Sequence, residues 1–549
     1  MFRAQDGQVA STRGVVVSTS GIASDVGAAI LSRGGNAVDA AVATGFALAV
    51  THPSAGNIGG GGFMVIRFAD GRATTIDYRE KAPMRATRTM YLGKDGEIDR
   101  SLTAAGWLAP GVPGTVRGLA LAHKKYGKLP WKDVVQPAVD LATNGFSLSN
   151  ALSGSINGAM RRQLNRFPSS AAAYGKPAGG EWSEGDTIRL TDLGRSLEAI
   201  AADPDAFYTG WIADSLAAQM AANGGIITRK DLAAYRAVER APLRGTFLGH
   251  GIIAMPPPSS GGVLLIEALN VLEHLDIAKR VPGTAEYLHV RLETARRAYL
   301  DRARHLGDPD FVKVPVARLT SKAYAANLAT GIDTMRASSS VALGRDIVTD
   351  RGEPEETTHF SVVDAEGNAV SNTYTLEGGY GSGVVVRGAG FLLNNEMGDF
   401  NRKPGETNTR GDIGTPANLI VPGKRMLSSM TPVILTKDGK LRAVTGSPGG
   451  RTIPNTVINV VLGIVAFGLD ARQAVALPRL HHQWLPDAAT FEPGVATEEV
   501  LTELRDRGHT IRVAGRQGDA PTIVFDAATG TAYGAPDMRT RDSKASAGR

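Results

Sequence analysis

The 549-residue sequence contains no cysteine. This absence excludes disulfide bonds, a cysteine nucleophile and thiolate-bound zinc or iron–sulfur clusters. It leaves the cellular compartment open, because exported proteins can also lack cysteine. None of the 10 histidines belongs to a His-Glu-x-x-His pair, so the sequence predicts no metal site.

Long apolar runs are absent as well. The longest strongly apolar stretch, about residues 457–469, is shorter than the roughly 18 residues that a membrane-spanning helix needs. The first ten residues show no apolar segment of a signal peptide, which indicates either a cytosolic protein or a chain from which that segment was removed. Lys and Arg exceed Asp and Glu by 60 to 54, but they are scattered, so a nucleic-acid surface is not supported.

Familiar phosphate and hydrolase motifs are also missing. The glycine-rich segment Gly56–Gly62 lacks both the Gly-Lys-Ser/Thr ending of a P-loop and the spacing of a dinucleotide fingerprint. It therefore predicts a tight turn with close backbone packing, and no nucleotide cofactor. There is no Gly-x-Ser-x-Gly elbow, and Ser259 and Ser260 are interpreted as a polar turn after three prolines.

The patterns that are present indicate a mixed α and β protein. Helical periodicity predicts helices over about 263–275 and 285–305. Two alternating stretches around Gly367 and Asn368 predict a β-hairpin over Thr358–Leu376. Residues 334–356 are polar, acidic at their end and without periodicity, and so form the best linker candidate.

The junction between this linker and the hairpin is a candidate site of self-cleavage and catalysis. The linker ends in EPEE, and the next residue, Thr357, is a hydroxyl residue at the start of a predicted strand. Cleavage before Thr357 would place a new α-amine, with an ordinary pKa of about 7.7–8.0, beside the hydroxyl that it could activate as a base. An ordinary loop-to-strand transition is the alternative at this point. Ser447–Gly450 adds consecutive backbone N–H groups suited to an oxyanion hole.

The residues around this junction resemble the gamma-glutamyltransferase family, whose members are also called glutathione hydrolases. The stretch TTHFSVVDAEGNAVSNTYTLEGGYG, residues 357–381, is similar to the family signature along its whole length. Further segments resemble the family in order along about residues 10–540: GNIGGGGFM, DYREKAP, PGVPGTVRG, MPPPSSGG, GDPDFVKVP, LLNNEMGDF, LSSMTP, TGSPGG and HHQWLPD.

The resemblance implies a self-cleaving enzyme with a threonine nucleophile. Cleavage would fall between Glu356 and Thr357, and Thr357 would then attack the substrate. Thr375 would hydrogen-bond the Thr357 hydroxyl, while Gly449 and Gly450 would present N–H groups to the oxyanion. No metal or organic cofactor is implied.

The resemblance also implies a pocket for the zwitterionic α-carbon of a γ-glutamyl group. Arg79, with Ser428 and Ser429, would bind the α-carboxylate. The α-ammonium would be bound by three acids, Glu377, Glu396 and Asp399. Without the resemblance, Arg79 would be interpreted as an exposed arginine at a strand end with Glu80 as its local partner. Glu396 and Asp399 would be interpreted as surface acids.

The expected fold is α+β, a four-layer αββα sandwich of the N-terminal-nucleophile hydrolase type. A large subunit, residues 1–356, and a small subunit, residues 357–549, would both contribute to it. Expected partners are glutathione and other γ-glutamyl donors, with water or an amino acid or peptide as acceptor, but neither nucleic acid nor a membrane. Bacterial members of the family suggest a periplasmic or secreted location.

Two other functions stay open at this stage. One is a cephalosporin (glutaryl) acylase of the same superfamily, and the other is an unprocessed relic that only binds γ-glutamyl compounds. Three positions also depart from patterns in the family. Met426 replaces a common proline and Gly398 a common aspartate, whereas Arg410 replaces an aromatic residue in the segment 401–425, which looks like a lid loop.

Overall fold

The computed structural model describes residues 7–347 and 357–549, and two stacked antiparallel sheets form its centre. The first sheet contains, in spatial order, Val9–Ser11, Thr531–Ala535, Thr522–Asp526, Lys440–Thr445, Val433–Lys437, His250–Ala254 and Leu243–Phe247. The second contains Lys544–Ala547, Gly14–Ser18, Thr358–Asp364, Ala369–Thr375, Gly61–Arg67, Ala73–Asp77 and Val238–Arg240.

The second sheet is buried on both faces. Val15 and Val17 pack with Ile434 and Val444 of the first sheet, in the core between the two sheets. Val16, which points the other way, belongs to the core between the second sheet and the helices outside it. Because both faces are covered, the strands Gly14–Ser18 and Gly61–Arg67 are largely apolar instead of alternating apolar and polar residues. The hairpin strands Thr358–Asp364 and Ala369–Thr375 also bury several polar residues.

Helices cover the outer face of each sheet. Those packed through the core outside the second sheet include Gly21–Ser32, Ala37–Thr51, Thr115–Tyr126, Trp131–Asn144, Asn150–Arg162, Thr191–Ala202 and Trp211–Ala222. Those beside the first sheet include Gly261–His274, Ala285–His305, Ile453–Val461, Ala471–Ala476 and Glu498–Asp506, with Lys322–Thr330 against Gly261–His274. The predicted α+β four-layer sandwich is thereby confirmed.

Several local predictions are confirmed too. The helix predicted over 285–305 is Ala285–His305, and the predicted hairpin consists of Thr358–Asp364 and Ala369–Thr375. Of the predicted linker, residues 334–347 form a loop with the short helix Ser340–Leu343. The rest of the linker, including Glu356, lies outside the described residues.

Strands from before and after position 357 alternate within the sheets. Gly14–Ser18 lies between Lys544–Ala547 and Thr358–Asp364 and is hydrogen-bonded to both. On the other side of the hairpin, Ala369–Thr375 pairs with Gly61–Arg67. Neither part of the chain completes a sheet alone. Within residues 7–347 and 357–549, no helix combines the length and apolar character needed to cross a bilayer.

The glycine-rich loop packs its backbone against the hairpin, as predicted. A Cβ atom on Gly60 would lie 2.0 Å from the carbonyl oxygen of Thr375, and one on Gly59 would lie 2.1 Å from that of Leu392. Only residues without a side chain allow this approach. Asn57 completes the junction, because its side-chain amide donates to the Thr375 carbonyl at 2.9 Å. The loop therefore fixes the end of the strand that carries Thr375.

Candidate active site

The hairpin brings the two threonines of the predicted site together. Thr358 pairs with Tyr374 in the antiparallel register, and continuing that register by one residue places Thr357 opposite Thr375. Both threonines line the same cavity. The Thr375 hydroxyl oxygen accepts a hydrogen bond from the backbone N–H of Glu377 at 2.7 Å. This bond fixes the Thr375 side chain at the cavity.

Nine of the predicted site residues line this one cavity: Arg79, Thr357, Thr375, Glu377, Glu396, Asp399, Ser428, Ser429 and Gly450. Gly449 directly precedes Gly450 in the chain but is not among the described lining residues. Two further lining residues, Met430 and Ile453, were not predicted. Met430 follows Ser428 and Ser429 in a quoted motif, whereas Ile453 carried no signal beyond its place after Gly450.

The Gly449–Gly450 pair begins a helical segment at the cavity. A single 3-10 turn, Gly450–Thr452, continues into the helix Ile453–Val461. The φ angles of Gly449 and Gly450 are 122° and 53°, in the region that favours glycine. A Cβ on Gly449 would also lie only 2.5 Å from the Thr452 hydroxyl oxygen. N–H groups at the start of such a segment lack helical acceptors and suit an anion.

Arg79 is fully buried, so the interpretation as an exposed arginine is wrong. One terminal nitrogen of its guanidinium lies 2.6 Å from Glu396 Oε2, and the other contacts Asp399. Its Nε and Nη2 also donate to the carbonyl oxygens of Met426 and Leu427, at 3.3 and 3.2 Å. Glu396 is buried as well and Asp399 is partly buried, so neither is a plain surface acid.

Acidic groups dominate the electrostatics around Arg79. Burial would lower the pKa of Arg79, but Glu396, Asp399 and Glu80 outweigh it and raise the pKa above its ordinary value. Burial raises the pKa of Glu80 to about 8 and that of Glu396 well above its ordinary value, although Arg79 opposes both shifts. One guanidinium thus faces three carboxyl groups, of which burial favours the neutral forms of Glu80 and Glu396. A cation bound beside these groups would favour their ionised forms.

The raised pKa of Glu80 predicts a pH-dependent stability. Between its ordinary pKa of 4.5 and about 8, Glu80 binds a proton in the folded protein but not in the unfolded chain. Stability therefore falls as the pH rises through this window. In Glu80→Gln, which stays neutral, we expect the loss of Tm between pH 5 and pH 8 to be smaller by about 1–3 °C. Thermal unfolding at several pH values measures this change of Tm. Glu184→Gln, which alters an exposed glutamate, is the control. If Tm changes equally with pH in the unmutated protein and both variants, the raised pKa of Glu80 is refuted.

The serines of the cavity are held by the loop that follows three prolines. The Ser428 carbonyl oxygen accepts from the backbone N–H and the hydroxyl of Ser260, at 2.7 and 2.6 Å. Arg302 donates to the hydroxyl oxygen of Ser429 at 3.0 Å. Ser259, which donates to the Met430 carbonyl, and Ser260 are both buried. The predicted polar turn is therefore an internal support for the site, which the local sequence did not reveal.

Glu377 is held in an unusual backbone conformation. Its φ angle of 78° lies in the left-handed region, which is uncommon for residues other than glycine. The Asn395 side-chain amide donates to the carboxylate of Glu377. Such conformations cluster at functional sites, where surrounding contacts maintain them. Asn395 belongs to the quoted segment NNEMGDF, but its role became visible only in the structure.

The three departures from the family pattern lie at different places, and none of them lines the cavity of Thr357. Met426 is buried in an apolar cluster with Tyr91, Met397 and Phe400. Its backbone carbonyl accepts a hydrogen bond from Arg79. Gly398 lines a neighbouring cavity. Arg410 is exposed and lies outside the lining of the cavity that holds Thr357.

The profile of one protein family matches most of this chain. The family described as Gamma-glutamyltranspeptidase matches residues 23–547. The chain belongs to this family. It is 46% identical over 537 residues to the glutathione hydrolase proenzyme of Escherichia coli (strain K12), covering 97% of this chain and 92% of that protein.

Proteins named as acylases are similar to this chain too. An acylase ACY 1 proenzyme of Pseudomonas sp. (strain SE83) is 38% identical over 525 residues, covering 94% of this chain and 90% of that protein. The crystal structure of a cephalosporin acylase from Bacillus halodurans matches with a TM-score of 0.86 and 26% identity, covering 100% of this chain and 98% of that one. Membership of the gamma-glutamyltranspeptidase family therefore does not by itself define the substrate, which must be argued from the residues of the cavity.

Proposed function

We propose that this protein is a self-processing γ-glutamyltransferase that cleaves the γ-glutamyl amide of glutathione and related compounds. One observation carries the proposal: a threonine at the start of a strand shares a cavity with a helix-starting glycine and with an arginine surrounded by acids. The threonine supplies a nucleophile, the glycine an N–H donor and the charged groups a site for a zwitterion.

Maturation is the first step that we propose. The Thr357 hydroxyl attacks the carbonyl carbon of Glu356, the peptide C–N bond breaks, and the acyl group moves from nitrogen to oxygen. Water hydrolyses the resulting ester, which releases the carboxylate of Glu356 and the free amine of Thr357. Residues 1–356 and 357–549 then remain together, because their strands alternate in both sheets.

Acyl transfer follows by the same chemistry. The new α-amine accepts the proton of the Thr357 hydroxyl as its oxygen attacks the γ-carbonyl carbon of the donor. The N–H groups of Gly449 and Gly450 stabilise the oxyanion, at about 3–4 kcal/mol per donor in comparable sites. The amine of the donor leaves with a proton, and a γ-glutamyl ester of Thr357 remains. Water then gives glutamate, or an amino acid or peptide amine gives a new γ-glutamyl amide.

The charged residues would position the α-carbon of the γ-glutamyl group. In this proposal Arg79, Ser428 and Ser429 bind the α-carboxylate, while Glu377, Glu396 and Asp399 bind the α-ammonium. Contacts support it, because Arg79 lies directly against Glu396 and Asp399. The two charges of an α-amino acid sit on one carbon, so their binding groups must also be neighbours. No step calls for a metal ion or an organic cofactor.

The proposal is tested with γ-glutamyl-p-nitroanilide and the purified full-length gene product. We expect release of p-nitroaniline, faster release when glycylglycine is added, and a γ-glutamyl-glycylglycine product detectable by mass spectrometry. A protein that separates into two chains under denaturing conditions but releases no p-nitroaniline would contradict the substrate assignment. A single uncleaved chain without turnover would favour the binding relic instead.

A glutaryl acylase is the second candidate, because an acylase is 38% identical to this chain. A glutaryl group has no α-ammonium, so it gives Glu396 and Asp399 no charge to bind. The acidic surroundings of Arg79 therefore favour the γ-glutamyl substrate. We further propose a periplasmic or secreted location, as in bacterial members of the family; fractionation of the source cells tests it.

The hydroxyl of Thr375 should matter for turnover more than for binding. Its oxygen accepts from the Glu377 N–H, which orients its own proton for donation towards Thr357. In Thr375→Val we expect kcat to fall about hundredfold, as when a single transition-state donor is removed, with little change in KM. Thr373→Val, which loses a buried hydroxyl bonded to His359, is the control and should lower stability but not kcat. Equal kcat values for Thr375→Val and the unmutated enzyme would exclude this role.

A further inference from the structure

Asn418 lies behind the pocket that holds Arg79. It ends the 3-10 turn Pro416–Asn418 in the segment 401–425, and it is buried. Arg79 and Asp399 line the cavity of Thr357, but Asn418 is not among the described residues of that lining. Any effect of Asn418 on a substrate in the cavity must therefore pass through the residues that it holds.

The side chain of Asn418 joins the two segments on either side of Arg79. Its Nδ2 donates to the backbone carbonyl oxygen of Asp399 at 2.7 Å, and its Oδ1 accepts from the backbone N–H of Leu427 at 2.9 Å. The carboxylate of Asp399 contacts the guanidinium of Arg79. The carbonyl oxygen of Leu427 accepts from Arg79 Nη2 at 3.2 Å. Arg79, Asp399, Asn418 and Leu427 therefore form a closed ring of contacts.

This bridge requires both functions of a side-chain amide. A backbone carbonyl only accepts hydrogen bonds and a backbone N–H only donates them, so the group between them must supply one donor and one acceptor. The amide of Asn418 supplies both, whereas an ionised aspartate of the same shape only accepts. The chemical type of residue 418 therefore matters as well as its size.

The backbone on both sides of Asn418 is held in place as well. The ammonium group of the buried Lys424 donates to the carbonyl oxygens of Ala417 and Leu419, at 2.6 and 3.2 Å. The backbone N–H of Asn401 donates to the carbonyl oxygen of Asn418 at 2.9 Å. Because its own backbone is fixed, Asn418 can fix the distance between the two segments that its side chain joins.

The two joined segments carry the proposed binding groups for opposite charges. Asp399 belongs to the acids proposed for the α-ammonium, and Leu427 directly precedes Ser428 and Ser429, which are proposed for the α-carboxylate. Both charges of a γ-glutamyl group sit on one carbon, so such a substrate fits only when the two segments keep one spacing. A substrate with a single charge can shift towards the segment that binds it.

We propose that Asn418 is a positioning residue that sets this spacing and thereby favours substrates that carry both charges. The proposal rests on the γ-glutamyltransferase function and adds a determinant of its specificity outside the cavity. Three p-nitroanilides test it. The γ-glutamyl anilide carries both the α-ammonium and the α-carboxylate, the glutaryl anilide lacks the ammonium, and the 4-aminobutyryl anilide lacks the carboxylate.

In Asn418→Ala we expect kcat/KM for the γ-glutamyl anilide to fall about tenfold, because both hydrogen bonds of the bridge are lost. The values for the other two anilides should change less than about threefold. Asn418→Asp keeps the shape but loses the donor to Asp399, so it should lower the same ratio. An equal loss with all three anilides in Asn418→Ala, or no loss with any of them, would overturn the proposal.

Asn408→Ala is the matched control. Asn408 is a buried asparagine of the same segment, and its side chain also makes one donated and one accepted hydrogen bond, both to Asp412 at 2.9 Å. Neither bond reaches Asp399 or Leu427. Asn408→Ala should therefore keep the ratios of kcat/KM among the three anilides, whatever its effect on stability.

Binding of L-glutamate tests the bridge without catalysis. By calorimetry we expect the Kd of L-glutamate to rise about tenfold in Asn418→Ala, and those of glutarate and 4-aminobutyrate to change less than about threefold. An unmutated protein that binds L-glutamate but cleaves no anilide would refute the γ-glutamyltransferase function, while the Kd values would still decide the role of Asn418. An unchanged Kd of L-glutamate in Asn418→Ala, or no binding of L-glutamate to the unmutated protein, would overturn the proposal.

Discussion

Replacing Thr357 with alanine is expected to leave a single chain of 57.5 kDa that has no measurable transfer activity. The unmutated protein should instead separate into chains of about 37 and 20 kDa, in proportion to residues 1–356 and 357–549. Thr357 supplies the attacking oxygen in both proposed reactions, so its loss removes both at once. We expect kcat to fall at least about 10⁴-fold, as in other enzymes that lose a nucleophile. Intact mass under denaturing conditions and p-nitroaniline release measure the two effects.

The neighbouring threonine offers a matched control. Thr358 begins the strand Thr358–Asp364, and its hydroxyl is hydrogen-bonded to that of Thr19 at 3.0 Å, away from the proposed chemistry. Thr358→Val should therefore still be cleaved and active. Thr357→Ser should be cleaved at the same bond, because serine keeps a hydroxyl in the same place. Cleavage of Thr357→Ala at position 357 would falsify the proposed mechanism of maturation.

Replacing Asp399 with asparagine should abolish most of the preference for γ-glutamyl over glutaryl substrates. Asp399 lines the cavity, contacts Arg79 and belongs to the acidic set proposed to bind the α-ammonium. Removing its charge should lower kcat/KM for γ-glutamyl-p-nitroanilide about 10- to 10²-fold, the range expected when a hydrogen bond to a charged group is lost. Glutaryl-p-nitroanilide has no ammonium and should change far less.

The ratio of kcat/KM for the two anilides distinguishes a loss of ammonium recognition from a general distortion of the cavity. A variant that merely distorts the cavity should lose activity towards both substrates together. A variant that loses only the ammonium contact should lose the γ-glutamyl activity alone. Unchanged kinetics with γ-glutamyl-p-nitroanilide would remove Asp399 from the binding site. A preference of the unmutated enzyme for the glutaryl anilide would favour the acylase alternative.

The hairpin that follows Thr357 could be predicted because its signals are local. A polar linker, a hydroxyl residue and an alternating hairpin follow one another around Thr357. The structure pairs Thr358 with Tyr374, and Thr357 and Thr375 line one cavity. Ser447–Gly450 was likewise recognisable, because glycines with exposed N–H groups are a feature of the chain itself. The roles of these residues stay predictions until variants are measured.

Residues that act through burial were harder to predict. Glu80 stood in a quoted motif but was only weighed as a surface partner of Arg79, whereas both are buried in the structure. Ser260 looked like part of a polar turn, yet it holds the backbone of Ser428. Burial depends on what packs from elsewhere in the chain, and no local pattern contains that information.

By itself, the sequence determined the α+β class, the hairpin, the candidate cleavage position and the membership of a family, since each rests on residue order over short distances. Only the tertiary structure decided the electrostatics of the site. Arg79, Glu396 and Asp399 meet because the chain returns to the same sheet end after more than 300 residues, and the low polarity there raises the pKa of Glu80 and Glu396. The cavity that Gly398 lines arises in the same way, because Arg302, Arg402 and Arg451 meet there only when three separate segments pack together.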